Sequence, residues 1–578
     1  MSATWTADGP LMMDLGLASP YGRLVEDCLP RILSMADRNP CSPTYGCFDR
    51  GYWHYRTLID YAAPLHQENA LTLAIAAQQS PEAPGADDLR TLSAAALAFW
   101  CGLQRRDGSF DEFYPYERSF VATAFTAYAL SETLFRLGPA ADAALRRRAI
   151  ETLTRAGHWL GRHQDVVVVN HTAGAIAALQ NIHRLSGESC FADYRERKVE
   201  ELLAHQHAEG WFYEYGGADP AYLSLAVDYL AKDYCHSRDE RVGAAIGRAL
   251  DFMVCFLHPD GSFGGEYGSR NAKYLMPHGL ELMAGQSASA RVLRWALRGA
   301  LARGTVVSPA LMDDRYTGFF LTKYAEAWAD QSGAPDLEPD ATITEPRTRI
   351  FPGAGLAVVS GPAAYTVVGL SKHGVIKCYT QGPEARALYS DAGYFANLAD
   401  GRVATTQWLD LEVARRLVEG QGRLEIELDY PMARMNTALP LVKLLAPFRL
   451  FLRAFGWHGG LMVWFGNWVK HRMIQAQQAL PLRVKRRLVL DDHQLEVEDH
   501  LRRERGPRLL RLIRSPLAGA LHVASSRYWQ PADRGVAGAW EASAADLEIL
   551  NHGGGLRVRT RVDFLSGTVD IQSGEASR

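Results

Sequence analysis

Apolar side chains recur at three- and four-residue spacing through about the first 330 residues, which is the pattern of amphipathic helices. Short loops rich in Gly, Asp and Pro separate these segments. The predicted helices span 89–104, 119–137, 142–164, 171–185, 222–234 and 241–257. The pattern therefore predicts an all-helical region at the beginning of the chain.

The loops between these helices resemble one another. Gly108, Gly210 and Gly261 each lie in a short polar loop that leads through aromatic residues into a new helix. The three glycines are 102 and 51 residues apart, so a period near fifty fits them all, with a degenerate copy near 159–164 and a similar aromatic loop at 51–55. A two-helix unit repeated about five times predicts helical hairpins closed into an (α/α) toroid, with every loop at the same end.

After Pro346 the pattern changes to β-branched residues that alternate with polar ones, which is typical of strands. The predicted strands span 347–360, 364–370, 375–379, 423–428, 486–498 and 556–564. We therefore predict an α+β multidomain protein, with an (α/α) toroid at 1–340 and an antiparallel β-sandwich at 346–578. The acidic, proline-containing stretch 333–345 marks the boundary.

Composition narrows the class of protein. The chain has 578 residues, of which 47% are apolar and 22% charged, as expected for a globular protein of several domains. A net charge of −3 gives no reason to expect nucleic acid as a partner. The eight cysteines form no C-x-x-C pair, which indicates reduced thiols rather than disulfides or a zinc site. The N-terminus shows no secretory signal, so we expect a cytoplasmic protein. We also expect no metal and no cofactor.

One segment departs from this balance. The 61 residues from Tyr430 to Leu490 contain ten basic residues and no Asp or Glu, so the rest of the chain carries a net charge of −13. The centre of the segment is rich in Leu, Phe and Trp, but basic residues, prolines and glycines interrupt it too often for a membrane span.

We predict that this insertion, at about 430–485, makes a peripheral contact with the inner face of a membrane through 439–475. The predicted membrane residues are Phe448, Phe451, Phe455, Trp457, Trp464 and Trp468. A dimer interface, or a packed insertion whose basic rim attracts an anionic polysaccharide, would give the same pattern. The sequence is also compatible with a homo-oligomer.

Four short motifs could carry chemistry. Asn170 and His171 begin a predicted helix, with Asn170 as its N-cap. Tyr222 begins the helix after an aromatic loop, in the sequence Pro-Ala-Tyr. A glycine-rich loop presents Arg270 and Asn271, and a polar turn between two predicted strands contains His373.

These motifs resemble the heparinase II/III-like polysaccharide lyases, which combine an incomplete (α/α) toroid with a β-sandwich. That family has an Asn-His pair in the toroid, then a Tyr in a Pro-x-Tyr context, then a His in the sandwich. Asn170-His171, Tyr222 and His373 match this order, with gaps of 51 and 151 residues. The sequence after His373 departs from the His/Asp/Ser-rich strand that the family often shows.

The resemblance implies an enzyme that removes the C5 proton of a uronate in an anionic polysaccharide or oligosaccharide and eliminates the substituent at O4. Asn170 and Arg270 would neutralise the uronate carboxylate, Tyr222 would act as base or acid, and His171 or His373 would be the second proton-transfer group. No metal is required. The full set of expected substrate-binding residues is Asn170, Arg270, Asn271, Tyr215, Tyr267, Trp211, Glu214 and Glu266.

Three other functions remain open at this point. A uronate C5-epimerase, acting on a lipid-linked polysaccharide at the membrane during exopolysaccharide biosynthesis, would begin with the same proton abstraction. A glycoside hydrolase could use two of Glu112, Glu214 and Glu266, which follow the repeat glycines. A toroid that has lost catalysis could serve as a carbohydrate-binding protein.

Overall fold

The computed structural model describes residues 19–55, 59–83, 85–165, 168–339, 346–420, 422–435, 442–470, 478–519 and 527–576. Its N-terminal half is helical. The helices are α1 (Pro20–Met35), α2 (Asn69–Gln79), α3 (Ala86–Leu103), α4 (Phe120–Leu137), α5 (Ala143–Arg162), α6 (Val169–Ser186), α7 (Ser189–Leu203), α8 (Pro220–Ser237), α9 (Glu240–Met253), α10 (Pro277–Met283), α11 (Ala288–Arg303) and α12 (Asp314–Ala329).

The even-numbered helices form the inner ring of a toroid. Each packs against the next, from α2 through α4, α6, α8 and α10 to α12, and α12 packs back against α2. The odd-numbered helices pack around the outside. The ring has six inner helices in the described residues rather than the predicted five repeats, because the loop before α12 lacks the glycine-aromatic signature.

The three repeat glycines occupy equivalent turns. Gly108, Gly210 and Gly261 have φ angles of 97°, 101° and 81°, which side chains other than glycine rarely adopt. A Cβ atom on Gly108 would lie 2.3 Å from the carbonyl oxygen of Arg155, and one on Gly210 equally close to that of Arg248. Each loop is therefore pressed against the next outer helix, and glycine is required for that approach.

The C-terminal half is built from antiparallel strands. They are β1 (Arg347–Phe351), β2 (Leu356–Ser360), β3 (Ala364–Gly369), β4 (Val375–Thr380), β5 (Ala387–Asp391), β6 (Gly393–Leu398), β7 (Val403–Thr405), β8 (Ala414–Gly420), β9 (Arg423–Arg434), β10 (Ala479–Asp491), β11 (Gln494–Arg503), β12 (Leu509–Ser515), β13 (Trp540–Glu541), β14 (Gly555–Asp563) and β15 (Val569–Glu575). Strands β1 to β5 form one sheet in chain order, and the others form a larger sheet. The predicted fold class is confirmed.

Alternation along β3 and β4 explains how the layers stack. Tyr365 and Tyr379 belong to the same apolar core as the toroid, whereas Val368, Ile376 and Cys378 belong to the core between the two sheets. Because successive strand residues point to opposite faces, the smaller sheet is covered on both sides. The toroid, the smaller sheet and the larger sheet thus form consecutive layers, and loops of the toroid and the smaller sheet meet directly.

The basic segment forms a helical hairpin between β9 and β10. Its helices are α13 (Val442–Phe455) and α14 (Gly459–Lys470), and a last helix, α15 (Ala544–Asn551), follows later in the chain. The two strands extend to Arg434 and resume at Ala479, so both ends of the predicted insertion at 430–485 belong to the sheet. Among the described residues, no helix has the length and apolarity needed to span a membrane.

Candidate active site

Five inner helices deliver polar side chains to one end of the toroid. The N-termini of α4, α6, α8, α10 and α12 follow the loops that connect them to the outer helices. The first turns of α6, α8 and α12 carry His171, Tyr222 and Arg315, and Arg270 lies in the loop before α10. Helix N-termini favour anions because their backbone N–H groups lack intrahelical partners. This end of the toroid is therefore suited to a negatively charged ligand.

Asn170 is bound to Glu214, which comes from the next repeat. Its backbone N–H donates to Oε1 at 3.1 Å and its side-chain amide donates to Oε2 at 2.8 Å. A β-bridge between Val168 and Glu214 brings the two segments together. Burial raises the pKa of Glu214 well above its usual range, more than the Asn170 bonds lower it. Helix α6 begins at Val169, so the prediction of Asn170 as an N-cap is wrong.

His171 is oriented by a carboxylate. Its Nδ1 lies 2.8 Å from Oδ2 of Asp165, and its ring packs edge-on against Phe125. Because an ionised carboxylate only accepts hydrogen bonds, Nδ1 is the donor in this contact. In the neutral form of the ring, this contact leaves the lone pair on Nε2, where a proton can be accepted.

Tyr222 lies among other aromatic rings, with centroids 6.0 Å from Tyr215 and 5.7 Å from Tyr274. Asp219 fixes its backbone, since Oδ1 accepts from the N–H groups of Ala221 and Tyr222 at 3.1 Å. The other oxygen, Oδ2, accepts from the backbone N–H of Arg270 at 2.9 Å. One buried carboxylate therefore sets both the start of α8 and the loop that carries Arg270.

Arg270 is a buried cation beside the tyrosines. Its guanidinium lies 4.5 Å from the centroid of the Tyr215 ring and donates through Nη2 to the Tyr215 carbonyl oxygen at 2.8 Å. Within the described residues, its buried Nε has no hydrogen-bond partner. Burial lowers the pKa of Arg270 below its usual range, against the opposing influence of nearby Tyr215, Tyr222 and Asp219. The site thus holds a guanidinium N–H that a ligand carboxylate could satisfy.

The polar turn of the β-domain contributes Lys372. Its Nζ donates to the carbonyl oxygen of Gly268 at 3.1 Å and to Oδ1 of Asn271, which has a left-handed backbone conformation. Burial lowers the pKa of Lys372 to about 7. A neutral amine has two N–H groups, enough for both bonds. Sequence reasoning identified this turn but missed Lys372 as the residue that contacts the toroid.

His373, the next residue, turns the other way. Its Nδ1 lies 2.8 Å from the carbonyl oxygen of Thr406, and its ring packs on Trp408 and Tyr430 of the β-domain. Its Nε2 is 3.9 Å from Oδ2 of Asp410. The described contacts of His373 therefore lie within the β-domain, and its catalytic role stays a prediction.

Three glutamates predicted near the toroid mouth have separate partners. Glu112 accepts from the Ser119 hydroxyl at 2.7 Å and pairs with Arg315. Glu214 is held by Asn170. Glu266 lies 2.6 Å from Lys273 and 3.0 Å from Lys377, and these lysines hold its pKa well below the usual range although burial alone would raise it. Each of the three carboxyl groups is thus held by a different set of side chains.

Two predicted substrate-binding aromatics are buried in packing contacts. The Trp211 ring stacks on His207 and its Nε1 donates to Glu209 at 2.9 Å. The Tyr267 hydroxyl lies 2.9 Å from Nε2 of His258. Both side chains are almost completely buried, whereas Tyr215 is partly exposed. Tyr215 is thus the better placed of the three to meet a sugar ring.

Sequence reasoning missed several charged members of the site. Asp165, Asp219 and Arg315 act through the contacts described above, and Glu117 accepts from the backbone N–H groups of Glu112 and Phe113 at 2.9 and 2.6 Å. Burial and the nearby Glu112 raise the pKa of Glu117 to about 8. The capping position of Asp219, just before Pro220, was the one local signal that could have revealed a member of this set.

Side chains that could share a metal ion lie elsewhere. In the described parts of the chain, His158, Glu188 and Cys190 are the one group of ligating atoms close enough, on and beside the outer helices α5 and α7.

Comparison with known proteins supports the architecture. The family model of the ulvan lyase N-terminal domain matches residues 86–285, the range that includes Asn170, His171, Tyr222 and Arg270. No curated protein matches the chain. Chondroitin AC lyase from Streptomyces coelicolor A3, solved in complex with chondroitin sulphate, is similar with a TM-score of 0.51 at 12% identity, over 99% of this chain and 77% of that chain.

Heparan sulfate lyase from Pedobacter heparinus aligns with a TM-score of 0.36 at 10% identity, over 99% of this chain and 92% of that chain, which is too weak to support an argument. The likeness to chondroitin AC lyase shows a shared fold. Together with the ulvan lyase domain match, it confirms the resemblance to polysaccharide lyases: the chain has a polysaccharide lyase-like fold of helical toroid and β-sheets.

Proposed function

We propose that the protein is a carbon–oxygen lyase that abstracts the C5 proton of a uronate residue in an anionic glycan and eliminates the substituent at O4. The observation that carries this proposal is the convergence of Asn170, His171, Tyr222 and Arg270 at the N-terminal end of the inner helices. Two acid–base side chains and a buried cation are thereby brought to one end of the toroid. In this proposal, side chains alone neutralise the carboxylate and transfer the protons, so the reaction needs no metal or cofactor.

The first requirement of this chemistry is to neutralise the uronate carboxylate, because its charge keeps the C5 proton weakly acidic. Arg270 supplies a buried positive charge and a guanidinium N–H, and the helix N-termini add to the positive potential. The raised pKa of Glu214 keeps that carboxyl group neutral, so it does not repel the substrate. Asn170, fixed by Glu214, is the proposed second donor to the carboxylate.

The second requirement is proton transfer at C5 and at O4. We assign Tyr222 to the first transfer, because Tyr222 and the buried Arg270 guanidinium interact electrostatically and a nearby cation in general favours the ionised form of an acid. His171, with its lone pair on Nε2, is the partner that we favour over His373. Positioned acid–base groups of this kind contribute about 10²–10⁴-fold to a rate.

C5 epimerisation is a second candidate function. Tyr222 and His171 come from adjacent inner helices, α8 and α6, which allows one group to remove the C5 proton and the other to return it. A sugar held between them would invert at C5 if O4 did not leave. Incorporation of solvent deuterium without chain cleavage would identify this outcome.

We further propose that the substrate is a polysaccharide handled at the cytoplasmic face of a membrane, during exopolysaccharide synthesis or modification. The proposal is supported by the basic, aromatic-rich hairpin. Activity on membrane-bound glycans in excess of activity on the same glycans in solution would support it.

The test of the proposed reaction is incubation with a panel of uronate-containing glycans. We expect an unsaturated uronate, detected by its ultraviolet absorbance, with at least one member of the panel. Cleavage that produces new reducing ends without unsaturation would instead indicate a hydrolase and would contradict the proposal.

A further inference from the structure

The hairpin of α13 and α14 concentrates exposed apolar side chains. Nineteen large apolar side chains are exposed in the described residues, and eight of them lie within 442–470. They are Leu444, Leu445, Leu450, Phe455, Trp457, Val463, Trp464 and Trp468. Such clustering marks an interaction surface, since single exposed apolar residues are otherwise scattered.

The hairpin has its own small core, which separates a packed side from an exposed side. Leu452 and Met462 are buried, and the Phe465 ring lies 5.9 Å from that of Phe448 and 5.3 Å from that of Phe451. Phe448 also packs on Tyr114 of the toroid, with centroids 5.3 Å apart. Phe448 and Phe451 are therefore half-buried packing residues rather than the exposed membrane contacts that the sequence predicted.

The other four predicted residues are exposed. Trp457 is 67% exposed, Trp464 61%, Trp468 48% and Phe455 46%. Trp side chains prefer the interface between water and lipid, where the ring is buried and its N–H stays hydrated. The side of the hairpin that faces away from its core thus has the composition of an interfacial helix pair.

The hairpin is fixed to the loop at the toroid mouth. Arg118 donates through Nη1 to the carbonyl oxygen of Gly456 at 2.9 Å, and its Nε donates to Asp107 at 2.7 Å. Arg449 lies 3.0 Å from Asp60. The loop that holds the hairpin turn also carries Glu112, which pairs with Arg315 on α12. The exposed apolar surface and the proposed active site are therefore held beside each other.

We propose that the exposed side of this hairpin docks on a lipid bilayer that carries anionic headgroups, and that it holds the toroid mouth at the membrane surface. Charge favours this occupant: the hairpin, 442–470, contains four basic residues and no acidic one, while the rest of the chain carries a net charge of −7. A symmetric pairing with a second copy would bring two such basic surfaces together, which like-charge repulsion opposes. The docking does not depend on the proposed reaction. The expected consequence of docking, which is access to a membrane-bound glycan, does rest on the proposed function.

Vesicle sedimentation with the full chain tests this proposal. One set of vesicles contains phosphatidylcholine alone and the other contains phosphatidylcholine with about a third phosphatidylglycerol. We expect binding to the anionic vesicles that is weakened by salt, and at least tenfold weaker binding by the triple variant Trp457→Ser, Trp464→Ser, Trp468→Ser. The thermal melting of the triple variant, expected to match the wild type, shows whether it folds.

Two matched variants separate the possible causes. Trp529 is 62% exposed but lies outside the hairpin, so Trp529→Ser should bind anionic vesicles as the wild type does. Tyr222→Phe should also bind normally while being impaired in catalysis, so a failure of the proposed reaction does not affect this test. Equal vesicle binding by the triple variant and the wild type would overturn the proposal. So would no binding by the wild type, or a wild-type dimer that the triple substitution dissociates.

Discussion

Two groups of buried ionisable side chains lie along the same loop, residues 264–274, and differ in how their charges are balanced. In the first, Glu266 and Asp533 each contact both Lys273 and Lys377, at 2.6 to 3.0 Å. In the second, Arg270 stacks on a tyrosine, and Lys372 donates to a carbonyl oxygen and an amide oxygen. The first group is a closed set of ion pairs. In the second group, the charge of Arg270 can act on a ligand, and Lys372 can change its protonation state near neutral pH.

The difference separates structure from function. Buried ions need partners, and the Glu266 group joins the toroid loop, strand β4 and residues near Asp533 through mutual pairing. The side chains of Arg270 and Lys372 donate to neutral carbonyl and amide oxygens, and burial shifts the pKa of Lys372 and of nearby Glu214, which is typical of catalytic sites. We therefore assign the first group to holding the two halves of the chain together and the second to the chemistry.

The largest expected effect concerns Tyr222. Tyr222→Phe removes the phenolic oxygen and should lower kcat by about 10²–10⁴-fold, because it removes the proposed proton-transfer group. Thermal melting should be nearly unchanged, since the ring contacts remain. The matched control is Tyr324→Phe. Tyr324 is a buried tyrosine of α12 that packs on Tyr21 of α1, and its substitution should leave turnover at the wild-type level. Full turnover in Tyr222→Phe would remove the central assignment.

The closed ion group should respond in the opposite way. Lys377→Met leaves Glu266 and Asp533 with a single lysine, and we expect it to lower the free energy of unfolding by about 3–5 kcal/mol. Urea denaturation measures this loss, and the remaining folded protein should be active. Lys485, whose side chain is 74% exposed on β10, provides the control Lys485→Met, which should cost under about 1 kcal/mol. Similar losses for both lysines would contradict the role of the ion group.

Lys372 should make stability depend on pH. Its pKa is about 7 in the folded protein and 10.5 for an ordinary lysine, so between these values the unfolded chain binds a proton that the folded chain does not. The contribution of this group to stability therefore rises with pH through this range, by about 1.4 kcal/mol per pH unit, and is flat below it. Lys372→Met should remove that slope from melting curves recorded between pH 7 and 9. Parallel pH profiles for the two proteins would exclude a buried neutral lysine.

The smallest effect is expected for Glu214. Because burial keeps this carboxyl group protonated, Glu214→Gln should cost under about 1 kcal/mol of stability, with Asn170 reorienting its amide to match. Glu266→Gln, which removes a paired charge, should cost several times more, about 3–5 kcal/mol. Parallel urea titrations compare them directly. A larger loss for Glu214→Gln than for Glu266→Gln would reverse the distinction between the two groups.

The fold was largely predictable because its elements follow periodic patterns. Helices α3 to α6, α8 and α9 and strands β3, β4 and β14 lie close to their predicted ranges, and the glycine loops indicated a toroid. The predicted strands 347–360 and 486–498 were wrong, because a turn divides each of them into two strands, and helix α7 was not predicted. The sixth inner helix was not predicted, because α12 follows an Asp-Asp-Arg sequence instead of the glycine-aromatic loop. A repeat whose loop lacks the motif is recognised only from its packing, here the contacts of α12 with α10 and α2 that close the inner ring.

The site was predictable where each residue follows a repeat loop. Asn170, Tyr222 and Arg270 come to the same end for that reason. The partners Asp165, Arg315 and Lys372 could not be assigned, because their contacts depend on ring closure and on how the smaller sheet packs against the toroid. Lys372 makes the described contacts with the toroid, and the next residue, His373, has a left-handed backbone with φ of 60°, a conformation that no spacing reveals.

The most direct test of the central claim is exchange of the uronate C5 proton in deuterated water. The wild-type protein and Tyr222→Phe would be incubated with the glycan that gives unsaturated product, and the C5 position of recovered substrate and the absorbance of the product would be followed together. We predict loss of the C5 proton with the wild type, as elimination, as exchange or as both, and neither with Tyr222→Phe. Glycan cleavage by the wild type with the C5 proton fully retained would contradict the account.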